Sequence, residues 1–156
     1  MKIQWKKLIV AVAIPLLVGG LSALLTSGQM EAFGNLNQPF LSPPAWLFPV
    51  VWTILYVLMG VASYRIWIAS ATDEKKKSAL FVYGLQLVFN FFWSIIFFNL
   101  KLYLFAFLWL VALWVLIYIT YKRFGKIDVV AEYLLIPYLV WVAFAGYLNL
   151  AIWILN

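Results

Sequence analysis

Gln86 and Asn90 stand one helical turn apart, and Trp93 and Phe97 follow at steps of three and four. On a helix these four side chains form one stripe. Two neutral amides set in an aromatic wall can exchange hydrogen bonds with an otherwise apolar ligand and fix its orientation. The same amides also suit helix-to-helix bonding, since an unpartnered amide in hydrocarbon is costly. A second stripe, Tyr138, Trp141, Ala145 and Leu148, repeats the steps, and Pro49, Trp52 and Tyr56 form a third. Ala145 is small where bulk would close the space between such walls. Aromatic residues also fill membrane cores and line membrane interfaces. A tryptophan well inside a span nevertheless needs an acceptor for its N–H, which favours a shared polar-lined cavity. Upstream of Trp52 the chain is stiffened by Pro43, Pro44 and Pro49, which fix φ and remove backbone donors. A rigid lid above an aromatic wall is the expected result.

The elements that must hold these stripes are legible in the composition. Of 156 residues, 67% are hydrophobic and 10% charged, against about 25% charged in a soluble domain. Five apolar stretches cover about 8–25, 45–70, 79–98, 102–121 and 129–155. Each is close to or above the roughly 20 residues that cross a hydrocarbon core of about 30 Å. Backbone groups in lipid must be satisfied within a helix or a closed barrel, and alternating ten-residue strands are missing. The expected fold is all-α, an integral membrane bundle of five transmembrane helices in one domain, 1–156. The first stretch reads as an uncleaved span, with no convincing small-residue cleavage site after it.

The net charge of +6 is distributed by topology. Lys2, Lys6 and Lys7 precede the first span, Lys75, Lys76 and Lys77 join the second and third, and Lys122, Arg123 and Lys126 join the fourth and fifth. With five crossings these segments share one side, opposite Lys101. The positive-inside pattern then predicts a multi-pass protein of the cell membrane with a cytoplasmic amino terminus and a carboxyl terminus outside. No base-stacking surface accompanies the basic loops, so the expected partner is the lipid bilayer and not nucleic acid.

Cysteine and histidine are both absent. Thiolate chemistry, histidine-ligated haem, histidine proton relays and ordinary zinc catalysis are excluded, and no metal site is expected. Arg65 and Glu132 lie near the basic ends of their spans and are expected to pair with each other. Pro15 and Pro137 should bend their helices. Gly19-x-x-x-Ala23 permits close helix approach, inside the bundle or in a dimer. The linker 26–43 is long for a compact bundle, which points to a functional or mobile segment able to cover a cavity.

Three ordered blocks, PP-x-W-x-F-P-x-VW-x-x-LY-x-x-MG from Pro43 to Gly60, Q-x-x-x-N-x-x-W-x-x-x-FF from Gln86 to Phe98 and PYL-x-W-x-x-FA-x-x-LN from Pro137 to Asn149, closely resemble the translocator-protein family. Its members are also called tryptophan-rich sensory proteins or peripheral benzodiazepine receptors. The resemblance implies a five-helix bundle, often a homodimer, with a pocket for porphyrins such as protoporphyrin IX and for benzodiazepine or isoquinoline-carboxamide ligands. No cofactor is required. The implied pocket positions are Trp52, Tyr56, Gln86, Asn90, Trp93, Tyr138, Trp141 and Ala145, to which the stripes and the lid add Pro43, Pro44, Phe97 and Leu148. Leu150 and Ile154 occupy places where vertebrate members carry a proposed sterol motif, and no basic residue follows Tyr147, so sterol recognition is not expected. Binding for sensing, sequestration or transport is the leading expectation. The resemblance also implies an alternative, light- and oxygen-dependent porphyrin degradation with Trp52 and Trp141 as the reacting indoles. A small transporter of apolar ligands is a third reading, disfavoured by the lack of charged pathway residues.

Overall fold

A computed structural model describes residues 2–156 and contains five helices long and apolar enough to cross a membrane. Helix α1 (Trp5–Thr26) continues through a 3-10 turn (Ser27–Gln29) into a short α2 (Met30–Gly34). The next two spans are α3 (Leu47–Ile68) and α4 (Asp73–Ser94). Helix α5 (Tyr103–Gly125) is followed by a broken last span, α6 (Val129–Leu134) and α7 (Ile136–Leu155).

Local chemistry sets the ends. Thr72, in extended conformation, accepts a hydrogen bond from the Lys75 backbone N–H at 3.3 Å, and Asp73 and Glu74 occupy the positive first turn of α4. That cap lets the third span begin several residues before its apolar run. Asp128 caps α6 by accepting from the Val130 and Ala131 N–H groups at 2.9 and 3.4 Å. Lys122 and Arg123 fall in the last turn of α5, where the dipole favours cations. Pro137 sits at the start of α7, just after the break at Leu135, where its missing N–H costs little. Pro15 is buried inside an uninterrupted α1.

Helix α1 packs on α3, α4 packs on α5, α5 packs on α7, and α6 wedges between α3 and α5. The α1–α3 crossing depends on Gly60. A methyl there would lie 2.5 Å from Val12 Cα and 2.8 Å from the Ala11 carbonyl oxygen, the carbonyl that Pro15, four residues on, cannot serve as a helical donor. Gly19 likewise makes room for the Tyr56 ring. The small pair on α1 therefore includes a contact inside the bundle, while Ala23 is exposed.

At the basic end, Arg65 pairs with Asp128, Nε to Oδ2 at 2.9 Å, and not with Glu132 as the sequence led us to expect. The expectation missed because α5 runs on to Gly125 and leaves Asp128 at the corner, facing α3 with the carboxylate already aimed by its capping bonds. Glu132 instead lies against Gly125. Lys7 lies over the Trp67 ring at 5.3 Å, and Lys76 donates to the Trp67 carbonyl at 2.9 Å.

The linker 26–43 has structure of its own. Phe33 on α2 makes edge contacts with Phe97 and Phe98. Farther on, Asn37 and Asn156 form a reciprocal amide clasp: the Asn37 N–H donates to Asn156 Oδ1, and Asn156 Nδ2 donates to the Asn37 carbonyl, both at 3.1 Å. Asn37 Nδ2 also donates to the Leu155 carbonyl at 3.2 Å. The segment is fastened to the end of α7 opposite the basic face.

Candidate functional site

The centre of the bundle is a hydrogen-bonded relay across three helices. Tyr56 on α3 donates its hydroxyl to Asn90 Oδ1 at 3.0 Å, and Asn90 Nδ2 donates to the Tyr138 hydroxyl on α7 at 2.7 Å. Tyr138 in turn donates to Gln86 Oε1 at 2.6 Å. Gln86 Nε2 ends the chain near Met59 Sδ at 4.0 Å. Gln86, Asn90 and Tyr138 are 1%, 2% and 1% exposed, so in this conformation the two amides satisfy each other's neighbours instead of an open volume.

Around the relay the aromatic stripes meet. Trp52 stacks on Tyr56 at 5.6 Å between centroids and stands edge-on to Tyr138 at 6.3 Å. Trp141 contacts Phe48 at 5.9 Å and Phe144 at 5.6 Å. Trp52, Tyr56, Gln86, Asn90, Tyr138, Trp141 and Ala145 therefore converge on the relay or on the core around it. The backbones of α3 and α7 stay largely apart, and these rings fill the seam between them.

Trp93, Phe97 and Leu148 lie farther toward the linker. Trp93 stacks on Phe97 at 5.2 Å and bridges the main core to a second cluster of Ile96, Phe97, Ala106 and Ile152. The end of this span is not α-helical: Ile95–Asn99 form a π-helical turn, with the Leu100 N–H reaching back to the Ile95 carbonyl at 3.0 Å. The extra residue per turn rotates everything after Ser94 relative to an ideal stripe. Pro43 is half-buried and Pro44 exposed, and the Pro44 carbonyl accepts from the Leu47 N–H at 3.0 Å as α3 begins.

Four tryptophans differ in what their N–H groups meet. Trp93 donates to Asn149 Oδ1 at 3.0 Å, Trp109 to the Phe89 carbonyl at 2.8 Å and Trp114 to the Leu139 carbonyl at 3.0 Å. Trp141 Nε1 is buried and has no acceptor among the described residues. A buried donor in that state carries a desolvation cost on the order of 1–3 kcal/mol.

Phe48, Asn149 and Met59 contribute to the site and were not singled out from sequence. Phe48 precedes Trp52 by four residues and Asn149 follows Ala145 by four, so each extends a stripe already visible. Met59 follows Tyr56 by three and extends that stripe too, but a thioether on an apolar helix looks like any core residue.

Comparison with known proteins shows the family. Residues 11–154 match the model of the TspO/MBR family. The chain is 37% identical over 124 residues to the tryptophan-rich protein TspO of Chlorobaculum tepidum, covering 80% of this chain and 78% of that one. It is 38% identical over 119 residues to the tryptophan-rich sensory protein of Cereibacter sphaeroides, with 76% and 73% covered. The translocator protein of Bos taurus is 33% identical over 142 residues, with 90% and 84% covered.

Proposed function

Since the chain belongs to the TspO/MBR family of membrane proteins, we propose that it binds a planar, largely apolar tetrapyrrole such as protoporphyrin IX, and related aromatic ligands, in the seam between α3 and α7. Trp141 carries this reading: its indole N–H is buried beside Phe48 and Phe144 with no protein acceptor, while Trp93, Trp109 and Trp114 all have one. A ligand acceptor would satisfy that donor, and Trp52 would supply the opposite face. Opening requires α3 and α7 to separate, which their sparse backbone contact favours. By the positive-inside rule the basic end faces the cytoplasm and the clasped linker the outside.

The test is titration of purified protein with protoporphyrin IX in the dark, followed by tryptophan quenching, with Trp141→Phe and Asn90→Ala alongside. Trp141→Phe removes the donor together with the five-membered ring of the indole, so affinity should fall at least about tenfold, the equivalent of one hydrogen bond of roughly 1.4 kcal/mol. Quenching that does not saturate, or that ignores both substitutions, would mean nonspecific partitioning. The linker should retain the ligand as a lid. Asn156→Ala removes both arms of the clasp and should speed dissociation several-fold at similar association rate; an unchanged off-rate would remove the lid.

A second reading is favoured by the ring contacts of Trp52 with both Tyr56 and Tyr138, which place oxidisable side chains next to the indole. In that reading light and oxygen destroy the bound macrocycle. Binding would survive darkness and anaerobic conditions, and product formation would not.

A further inference from the structure

At the basic end, away from the α3–α7 seam, one tryptophan gathers two ammonium groups. Lys7 Nζ on α1 lies 5.3 Å over the Trp67 ring, and Lys76 Nζ on α4 donates to the Trp67 carbonyl at 2.9 Å. Trp67 belongs to the last turn of α3, so three helix ends meet around it. Between them lies an open groove of about 560 Å³, which Lys77 and Asp73 also line. The one ion pair among the described residues is Arg65–Asp128, so none of these three lysines is neutralised by a carboxylate. An ammonium carries three donors, and the carbonyl occupies one of those on Lys76.

The groove changes character with depth. Leu80 and Phe81 complete its lining, and they stand four residues after Lys76 and Lys77 on α4. Each therefore lies on the same face as its lysine, about 6 Å farther into the membrane at 1.5 Å per residue. Phe81 is 70% exposed. Its stripe continues through Gly84, where a Cβ would meet nothing within 4 Å, to the exposed Val88. Cations above an open apolar track match an amphiphile whose anion sits directly above its chains. A water-soluble anion would use only the upper half. A phosphatidylcholine headgroup brings a cation of its own, which three lysines repel.

We propose that this groove is a binding site for an anionic phospholipid with a single phosphate, of the phosphatidylglycerol kind. Lys7, Lys76 and Lys77 hold the phosphate, and an acyl chain runs along Phe81 and past Gly84. Asp73 sets the headgroup: it repels a second anionic group and accepts hydrogen bonds from hydroxyls. Basic pockets between spans on the cytoplasmic side are suited to such lipids. The site goes beyond a general attraction of the basic loops to the membrane surface, because it needs both the three lysines and the apolar track beneath them.

Native mass spectrometry of the full-length protein in detergent, titrated with dioleoylphosphatidylglycerol or dioleoylphosphatidylcholine, counts the bound lipids. One phosphatidylglycerol should bind about tenfold or more tightly than phosphatidylcholine. Lys7→Gln/Lys76→Gln/Lys77→Gln should abolish that preference. Lys75→Gln/Lys122→Gln/Lys126→Gln removes as many charges from the same face outside the groove and should keep it. Equal affinity for the two lipids, or equal loss in both triple variants, would mean diffuse attraction to the basic face and would overturn the site. Phe81→Ser, at an exposed position, keeps every lysine and should weaken phosphatidylglycerol several-fold through the lost chain contact. Glycerol phosphate, the headgroup without acyl chains, should not displace the lipid. Displacement by it, or indifference to Phe81→Ser, would assign the lysines to a soluble anion and overturn the lipid site.

Discussion

Tyr138→Phe should destabilise the bundle by about 2 kcal/mol or more, from the 1–3 kcal/mol cost of each orphaned buried group. Tyr138 is the node of the relay: its hydroxyl accepts from Asn90 and donates to Gln86. Removing one oxygen leaves an amide N–H and an amide carbonyl without partners, both on residues that water does not reach. Tyr56→Phe removes a single bond to Asn90 and should cost about 1 kcal/mol. Individual side-chain bonds between membrane helices average only about 0.6 kcal/mol, so the ordering of the two variants is the informative quantity. Reversible unfolding in mixed micelles would measure it. Equal losses near the smaller value would mean that the relay relaxes onto other partners, and the node would lose its special status. Tyr56→Phe, Tyr138→Phe and the double variant would form a cycle whose coupling reports whether Asn90 links them.

Replacing Gly60 with valine should be still more disruptive. The neighbours of a Cβ there are the Val12 Cα and the Ala11 carbonyl, both backbone, and backbone in an intact helix cannot rotate away as a side chain can. Helices α1 and α3 would have to part, at the upper end of the roughly 1–3 kcal/mol typical of overpacking, or beyond it. The consequence reaches the site, because the Tyr56 ring that bonds Asn90 rests against Gly19 on the same helix pair. Gly60→Val should therefore lower the unfolding midpoint and weaken tetrapyrrole binding together. Gly84→Val is the control, since nothing crowds that glycine, and it should leave both nearly unchanged. Loss of stability with Gly60→Val but undisturbed binding would separate the α1–α3 contact from the site.

Much of this molecule was determined by one-dimensional pattern. Span length, the apolar composition and the clustering of Lys2, Lys6, Lys7, Lys75–Lys77 and Lys122–Lys126 at one end require only that a helix rise 1.5 Å per residue and that lysines avoid hydrocarbon. The stripes Gln86–Asn90, Trp52–Tyr56 and Tyr138–Trp141 follow from the same periodicity, and the structure brings these side chains together around one relay. The tertiary structure decided everything that depends on how one helix is rotated and pitched against another. It chose Asp128 over Glu132 for Arg65, because the extension of α5 sets which carboxylate turns the corner toward α3. It placed the π-turn at Ile95–Asn99, where hydrogen bonds slip by one residue with no glycine or proline to announce it. It filled the expected cavity with the amides' own partners, Tyr56 and Tyr138, and left Trp141 as the donor without one. A period assigns a side chain to a face, but a hydrogen bond needs a second atom within about 3 Å, and only the packed bundle specifies which atom that is.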